Sequence, residues 1–134
     1  MKYLLDTNIC IYLIRRRPAT VIRELVKHPL GDVGLSSITV AELQYGVAKS
    51  AEQERNRLAL EQFLVPLAIA EFDAHAAEAY GLIRASLERQ GTPIGSLDTL
   101  IAAHALSLGV TLVTNNEREF GRVPGLRVEN WASE

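Results

Sequence analysis

The chain has 134 residues, of which 48% are hydrophobic and 22% are charged, and a formal net charge of −2. This length predicts one domain over residues 1–134, which excludes a tandem architecture, and the composition excludes disordered and collagen-like proteins. The small net charge excludes a basic field over the whole surface, so contact with nucleic acid requires a local patch.

Apolar runs and helical periodicities alternate along the first half of the chain. The pattern predicts two short strands, each followed by two helices, at Lys2–Leu5, Thr7–Ile14, Pro18–Lys27, Asp32–Leu35, from Ser36 and Ser37 through Val47, and Ala51–Leu64. The polar composition of the last of these helices indicates an exposed element.

The second half continues in the same way. We expect strands at Pro66–Phe72, Val110–Thr114 and around Leu126–Val128. Asp73 is expected to cap a long helix that runs to Gln90. Two further helices are predicted, from Ser96 to a stop at Gly109 and over Glu117–Phe120.

Strands that alternate with helices favour parallel pairing through right-handed crossovers. We therefore predict an α/β fold, a doubly wound parallel sheet with helices on both faces. In such a sheet the ligand crevice lies beyond the carboxyl ends of the strands, where the strand order reverses.

Three acids fall at this predicted edge. Asp6 follows the first strand, and Glu42 and Asp98 lie in the early turns of two helices. Each acid also has a structural explanation, because Asp6 is a potential helix cap, Glu42 a capping-box partner of Thr39, and Asp98 a favourable charge at a helix start.

Converging carboxylates repel one another unless a cation neutralises them, and oxygen ligands select Mg²⁺ or Mn²⁺. The three acids together therefore predict a metal site. After the strand Val110–Thr114, Asn116 and Glu119 are the candidates for a fourth contact. Thr7, Asn8 and Thr114 are expected to orient ligands or water, although turn and cap roles are open for them as well.

Four separated motifs resemble the PIN-domain ribonucleases, specifically VapC-type toxins of toxin–antitoxin pairs. They cover essentially the whole chain in the right order: Leu5-Asp6-Thr7-Asn8, residues 36–42, residues 95–105 and residues 113–120. By position, Asp6, Glu42 and Asp98 match the metal-binding acids of that family. Many relatives have Asp where this chain has Asn116, so Glu119 is expected to be the fourth charged ligand.

The resemblance implies Mg²⁺- or Mn²⁺-dependent endonucleolytic cleavage of RNA. It implies a PIN-like fold and a homodimer, and a cognate antitoxin protein that occludes the acidic site. Two other classes stay open from the residues alone, a receiver domain that accepts a phosphoryl group and a noncatalytic binding module. A receiver needs a lysine after its last core strand, and Val110–Thr114 contains none.

Basic and titratable side chains outside the acids have weaker assignments. Candidate RNA contacts are the run Arg15, Arg16 and Arg17 and the pair Arg55 and Arg57. Each group is also compatible with a solvated surface that binds no RNA. The apolar residues of the same hairpin, Leu43, Val47, Leu58 and Leu60, are expected to be core. His28, His75 and His104 are not expected to be catalytic, because metal-held water needs no histidine base.

Cys10 is the sole cysteine, and its apolar neighbours predict a reduced, buried thiol. The charge order of the N-terminal residues is the reverse of a signal peptide, and no apolar stretch is long enough to span a bilayer. We therefore expect a cytoplasmic protein with no membrane contact.

Overall fold

Five parallel strands form the central sheet of the chain, which a computed structural model describes over residues 1–133. The strands are β1 (Tyr3–Leu5), β2 (Val33–Ser36), β3 (Ala68–Ala70), β4 (Thr111–Val113) and β5 (Val128–Glu129). Their order across the sheet is β3-β2-β1-β4-β5, and every neighbouring pair is parallel.

Seven α-helices connect and cover the strands. They are α1 (Thr7–Arg15), α2 (Ala19–Leu25), α3 (Ser37–Ala48), α4 (Gln53–Leu64), α5 (Ala74–Arg89), α6 (Ser96–Leu108) and α7 (Glu117–Phe120). One apolar cluster packs α1 to α4 against one face of the sheet, and a second packs α5, α6 and α7 against the other. Helices on both faces confirm the predicted doubly wound fold. Among residues 1–133, no helix is both long enough and apolar enough to cross a membrane.

The strand order reverses at β1, which lies between β2 and β4. Leu5, the last residue of β1, is in register with Leu35 on one side and Val113 on the other. Since all three strands point the same way, the segments that follow them emerge at one edge of the sheet. This edge is where a doubly wound fold places its ligand site.

The predicted elements all form, and the differences lie in their bounds. The strand expected over residues 66–72 is only Ala68–Ala70, and the last strand is Val128–Glu129. Both lie at sheet edges, where only one neighbour fixes the length of a strand. A short 3₁₀ helix at Leu30–Asp32, which the sequence pattern did not predict, leads into β2.

Helix ends follow capping chemistry with one correction. Asp73 caps α5 as expected, and Gly109 ends α6 with a left-handed φ of 68°. The proposed capping box of Thr39 and Glu42 is wrong. The cap of α3 is Ser36, whose Oγ accepts a hydrogen bond from the backbone N–H of Ile38. Glu42 is therefore free of a capping role.

Candidate active site

Asp6 lies at the switch point directly after β1 and is only 5% exposed. Its Oδ1 accepts a hydrogen bond from the backbone N–H of Ile9 at 2.9 Å, so it caps α1. Burial raises the pKa of this carboxyl, whereas hydrogen bonds from the Thr114 hydroxyl and from the backbone of Ile9 lower it. Capping alone does not account for a buried acid with a raised pKa, because solvated caps have no such cost.

Glu42 projects from α3 toward the start of α1. Its Oε1 accepts a hydrogen bond from the hydroxyl of Thr7 at 2.6 Å. The same Thr7 oxygen lies 3.3 Å from the hydroxyl of buried Thr39. Since a threonine has one hydroxyl proton, Thr7 donates to Glu42 and accepts from Thr39. Thr7 thus orients Glu42, in agreement with its expected supporting role.

Asp98 lies in the first turn of α6 and faces Glu119 on α7. Burial, a hydrogen bond to the carboxylate of Glu119 and the negative charges of Glu119, Asp6 and Glu42 raise the pKa of Asp98 to about 6. Asn116 donates from Nδ2 to Oε2 of Glu119 at 2.6 Å. The two candidates for the fourth position are therefore in contact with each other.

These pKa effects show that all four predicted acids share one electrostatic environment. The negative charges of the other three acids raise the pKa of Asp98, and the charge of Glu42 also raises the pKa of Asp6. Within residues 1–133, none of the four forms an ion pair with lysine or arginine. The site is a cluster of carboxylates whose mutual repulsion is not neutralised by side chains of the described chain.

The donor set fits a hard divalent cation, since every candidate ligand is a carboxylate oxygen. The acids do not form a coordination shell in this conformation, because no three His, Cys, Asp or Glu side chains in residues 1–133 are arranged to hold one ion. Hydrogen bonds to Thr7 and Asn116 occupy two of the carboxylates instead. The residue types at this site therefore fit the chemistry of a divalent cation.

The other expected supporting residues lie at the same edge. Thr114 is fully buried. Its hydroxyl donates a hydrogen bond to the carboxylate of Asp6 and accepts one from the backbone N–H of Asn116 at 2.9 Å. Asn8 contributes its backbone, which favours the charged form of Asp6, while its side chain is exposed. A buried hydrogen bond that the sequence pattern did not predict joins Ser36 and His104, whose side-chain atoms are 2.8 Å apart.

The two groups of candidate RNA-binding arginines differ. Arg55 pairs with Glu52, and Arg57 pairs with Glu54 and Glu61, all on the polar helical hairpin. Arg15, Arg16 and Arg17 are exposed and have no ion-pair or hydrogen-bond partner for their side chains within residues 1–133. The structure therefore leaves the second group as the available cations and argues against the first.

A groove of about 880 Å³ runs beside the acids between α1, α3 and α4. Thr7, Asn8 and Glu42 line it near the acidic edge, and most of its remaining wall is apolar. Leu43 and Leu60 are buried beneath it as predicted, whereas Leu58 is 46% exposed, so its assignment to the core was wrong. Cys10 is buried and free, in agreement with the predicted packing role.

The match to known proteins covers most of the chain, because the model of the PIN domain family matches residues 3–126. The chain belongs to the PIN-domain family. It is 48% identical over 132 residues to a tRNA(fMet)-specific endonuclease VapC of Shigella flexneri, with 98% of this chain and 99% of that protein covered. It is 50% identical over 131 residues to Ribonuclease VapC2 of Haemophilus influenzae, with 98% of each chain covered.

The fold agrees with this membership. The crystal structure of VapBC2 from Rickettsia felis, bound to a DNA fragment from their promoter, superposes with a TM-score of 0.92 at 45% identity. It covers 98% of this chain and 99% of that one. The chain is thus a PIN-domain ribonuclease of the VapC toxin type. This confirms the resemblance seen in the four motifs and decides against the receiver and binding-module alternatives.

Proposed function

We propose that this PIN-domain ribonuclease cleaves RNA endonucleolytically with a Mg²⁺ or Mn²⁺ ion held by Asp6, Glu42, Asp98 and Glu119. The observation that carries the proposal is the cluster of four carboxylates at the switch point without a neutralising side chain from residues 1–133. A hard divalent cation relieves this repulsion and accepts oxygen ligands of this kind.

The chemistry divides between the ion and the chain. A divalent ion held by Asp6, Glu42, Asp98 and Glu119 would acidify an attacking water and would stabilise charge on the leaving oxygen of the phosphodiester. Thr7 fixes the orientation of Glu42 by its hydrogen bond, and Asn116 does the same for Glu119. Thr114 and the first turn of α1 favour the ionised form of Asp6 despite its burial. These contacts support the ligands that phosphodiester cleavage requires.

The decisive experiment compares RNA cleavage by the purified protein after removal of divalent ions and after addition of Mg²⁺ or Mn²⁺. We expect cleavage to disappear in excess EDTA and to return with either ion. An Asp6→Asn variant, prepared in the same way, excludes a contaminating nuclease, because its cleavage must be absent under all conditions. Undiminished wild-type cleavage in EDTA would refute the metal mechanism.

The activity of two relatives suggests the substrate. Two proteins 48% and 47% identical to this chain, from Shigella flexneri and Salmonella typhimurium, are named tRNA(fMet)-specific endonucleases. We therefore propose initiator tRNA as the RNA that this chain cuts. Sequencing of new RNA ends after brief expression, against the Asp6→Asn variant, tests this proposal. Cleavage spread over many RNAs without enrichment in initiator tRNA would contradict it.

A cognate antitoxin is the proposed partner, because similar structures are VapBC toxin–antitoxin complexes. We propose that an amphipathic segment of the antitoxin binds in the apolar groove beside Glu42. An Arg or Lys at the end of that segment would complement the negative charge of the acids. A triple variant with Asp6→Asn, Glu42→Gln and Asp98→Asn should therefore bind the antitoxin more weakly. Unchanged affinity would place the inhibitory contact elsewhere.

The remaining expectations concern assembly and location. A homodimer is proposed from the resemblance to VapC-type toxins, and light scattering of the purified chain tests it. A cytoplasmic location is proposed because the buried free thiol of Cys10 fits a reducing compartment. Fractionation of cells that produce the chain tests this location.

A further inference from the structure

A buried polar pair, Ser36 and His104, connects α6, which carries Asp98, to the junction between β2 and α3, the helix that carries Glu42. Ser36 is fully buried and His104 is 1% exposed. The hydroxyl of Ser36 lies 2.8 Å from Nδ1 of His104. Within residues 1–133, this is the sole side-chain hydrogen bond between α6 and α3 with its cap. Within residues 1–133, neither side chain makes a hydrogen bond to the site carboxylates, so the reaction chemistry described above does not use them.

The hydroxyl of Ser36 takes part in two hydrogen bonds. Its Oγ already accepts the backbone N–H of Ile38, by which it caps α3. Its hydroxyl proton is then free to be donated to Nδ1 of a neutral imidazole. Burial lowers the pKa of His104, against smaller opposing effects of Asp73 and the Glu71 backbone, and thus favours the neutral form. One hydroxyl therefore both begins α3 and ties it to α6.

The Ser36–His104 pair lies at equal sequence distances from Glu42 and Asp98. Ser36 comes six residues before Glu42, and His104 comes six residues after Asp98. Ser36 at the start of α3 meets His104, and Leu97 in the first turn of α6 lines the same groove as Glu42 of α3. The two helices therefore run in opposite directions past each other. The pair and the acids are then about 9 Å apart along each helix. A shift of α3 against α6 at the pair displaces Glu42 relative to Asp98.

The imidazole of His104 is packed against Phe72, which restricts its orientation. The ring of Phe72 meets it edge-on with centroids 5.3 Å apart. Phe72 is itself fixed, because its backbone N–H donates to the hydroxyl of Ser37 in α3. Nε2 of His104 is buried and has no hydrogen-bond partner among the described residues. The Ser36 bond is the one side-chain hydrogen bond that this ring makes within residues 1–133.

We propose that the Ser36–His104 hydrogen bond positions Glu42 and Asp98 for a shared divalent ion by locking α3 to α6. His104 is in this view a positioning residue that acts through Ser36, and not a catalytic one. The inference rests on the proposed metal site. Loss of a contact that orients a metal ligand typically costs about 10- to 100-fold in metal affinity.

The test compares His104→Leu, which keeps the burial and removes the bond, with His104→Asn, whose side-chain oxygen can replace Nδ1 as the acceptor. Mn²⁺ binding is measured by calorimetry, and kcat and KM for RNA are measured across Mn²⁺ concentrations. We expect His104→Leu to bind Mn²⁺ about tenfold more weakly and to regain kcat at high Mn²⁺ with KM for RNA unchanged. His104→Asn should bind Mn²⁺ within about threefold of the wild type.

His28→Leu is the control, because His28 is also a packed histidine, it stacks on Trp131, and its Nε2 lies 3.6 Å from Oε1 of Glu24 and not beside the site acids. It should leave Mn²⁺ affinity unchanged. Ser36→Ala supplies a second route should His104→Leu not fold. Combined with His104→Leu, it should weaken Mn²⁺ binding less than the sum of the single effects.

Three results overturn the inference, and they are distinguishable. Wild-type affinity in His104→Leu would show that the pair does not position the acids, while leaving the metal site intact. Losses in His104→Asn and His104→Leu that follow their losses in thermal stability would assign the pair a purely structural role. A wild-type protein that binds no Mn²⁺ would refute the proposed metal site and the positioning role together.

Discussion

The charges of α4 and the charges at the switch point illustrate two ways in which a sequence places acids. On α4, Arg57 lies between Glu54 and Glu61 at helical spacing, and each acid pairs with it in solvent. At the switch point, Asp6, Glu42, Asp98 and Glu119 come from four different elements. They face one another with no pairing cation from residues 1–133.

The comparison between α4 and the switch point shows that unfavourable charge interactions are concentrated at the switch point. Exposed pairs one helical turn apart form locally and contribute little to stability. The pKa of Glu54 is lowered by its hydrogen bond and charge contact with Arg57, whereas the pKa of Asp98 is raised by burial and by Glu119. Opposite pKa shifts of two carboxyl groups separate an exposed acid that is paired with an arginine from a partly buried acid that lies among other carboxylates.

The largest expected effect comes from neutralising one acid in each region. Asp98→Asn should lower the rate of RNA cleavage by more than the roughly 10- to 100-fold that loss of a contact behind a metal ligand costs. Glu61→Gln removes one negative charge from α4 and should leave the rate within about twofold. Single-turnover rates at saturating Mg²⁺ provide the measurement. Equal losses in both variants would mean that total charge, and not the site, matters.

A tenfold effect is expected within the fourth position. Glu119 brings a full negative charge to the acids, and Asn116 orients it through a hydrogen bond of 2.6 Å. Glu119→Gln should therefore raise the Mg²⁺ concentration for half-maximal cleavage by about tenfold, and Asn116→Ala should raise it less. A Mg²⁺ titration of both variants decides the order. A normal Mg²⁺ requirement in Glu119→Gln beside a defect in Asn116→Ala would reverse the assignment.

Stability should respond to pH in the metal-free protein. Because the pKa of Asp98 is about 6 in the folded chain and 3.8 ordinarily, folding favours its protonated form. The folded state is then fully stable with respect to this group below about pH 4 and loses stability as the pH rises through 6. Asp98→Asn should remove this loss and gain about 1 kcal/mol at pH 7, allowing for screening by solvent.

Urea unfolding in EDTA at pH 4.5 and pH 7 measures this difference. The variant should match the wild type more closely at pH 4.5 than at pH 7. As a comparison, Glu54→Gln on α4 should not increase stability at pH 7, because the lowered pKa of Glu54 reflects a favourable contact. A destabilised Asp98→Asn protein at pH 7 would indicate a structural role for this acid.

The smallest expected effect concerns the free arginines at the end of α1. Arg17→Gln should weaken RNA binding about two- to threefold and reduce its dependence on salt, because one phosphate contact is lost. Arg55→Gln removes the same charge from an arginine already paired with Glu52 and should change neither quantity. Binding of uncleaved RNA to Asp6→Asn protein, measured across salt concentrations, separates the two. Equal salt dependence in both variants would exclude Arg17 from the RNA surface.

The sequence by itself determined the elements and predicted which acids the fold brings together. Short β-branched and apolar runs between helical periodicities specify a parallel sheet, and acids that follow its strands must meet at one edge. Asp6 and Asp98 were predictable for this reason, since each lies next to a strand end or a helix start. Capping residues such as Asp73 were predictable because their hydrogen bonds are local.

Only the tertiary structure decided which side chains support those acids. Thr7 holds Glu42 across 35 residues, and Ser36 meets His104 across 68 residues. No periodicity encodes such pairs, because they depend on how α1, α3 and α6 pack on the sheet. The same packing showed that Ser36, and not Thr39 with Glu42, caps α3. Helices are predictable from the sequence because their hydrogen bonds are local. The contacts that orient the acids form only when the helices pack together.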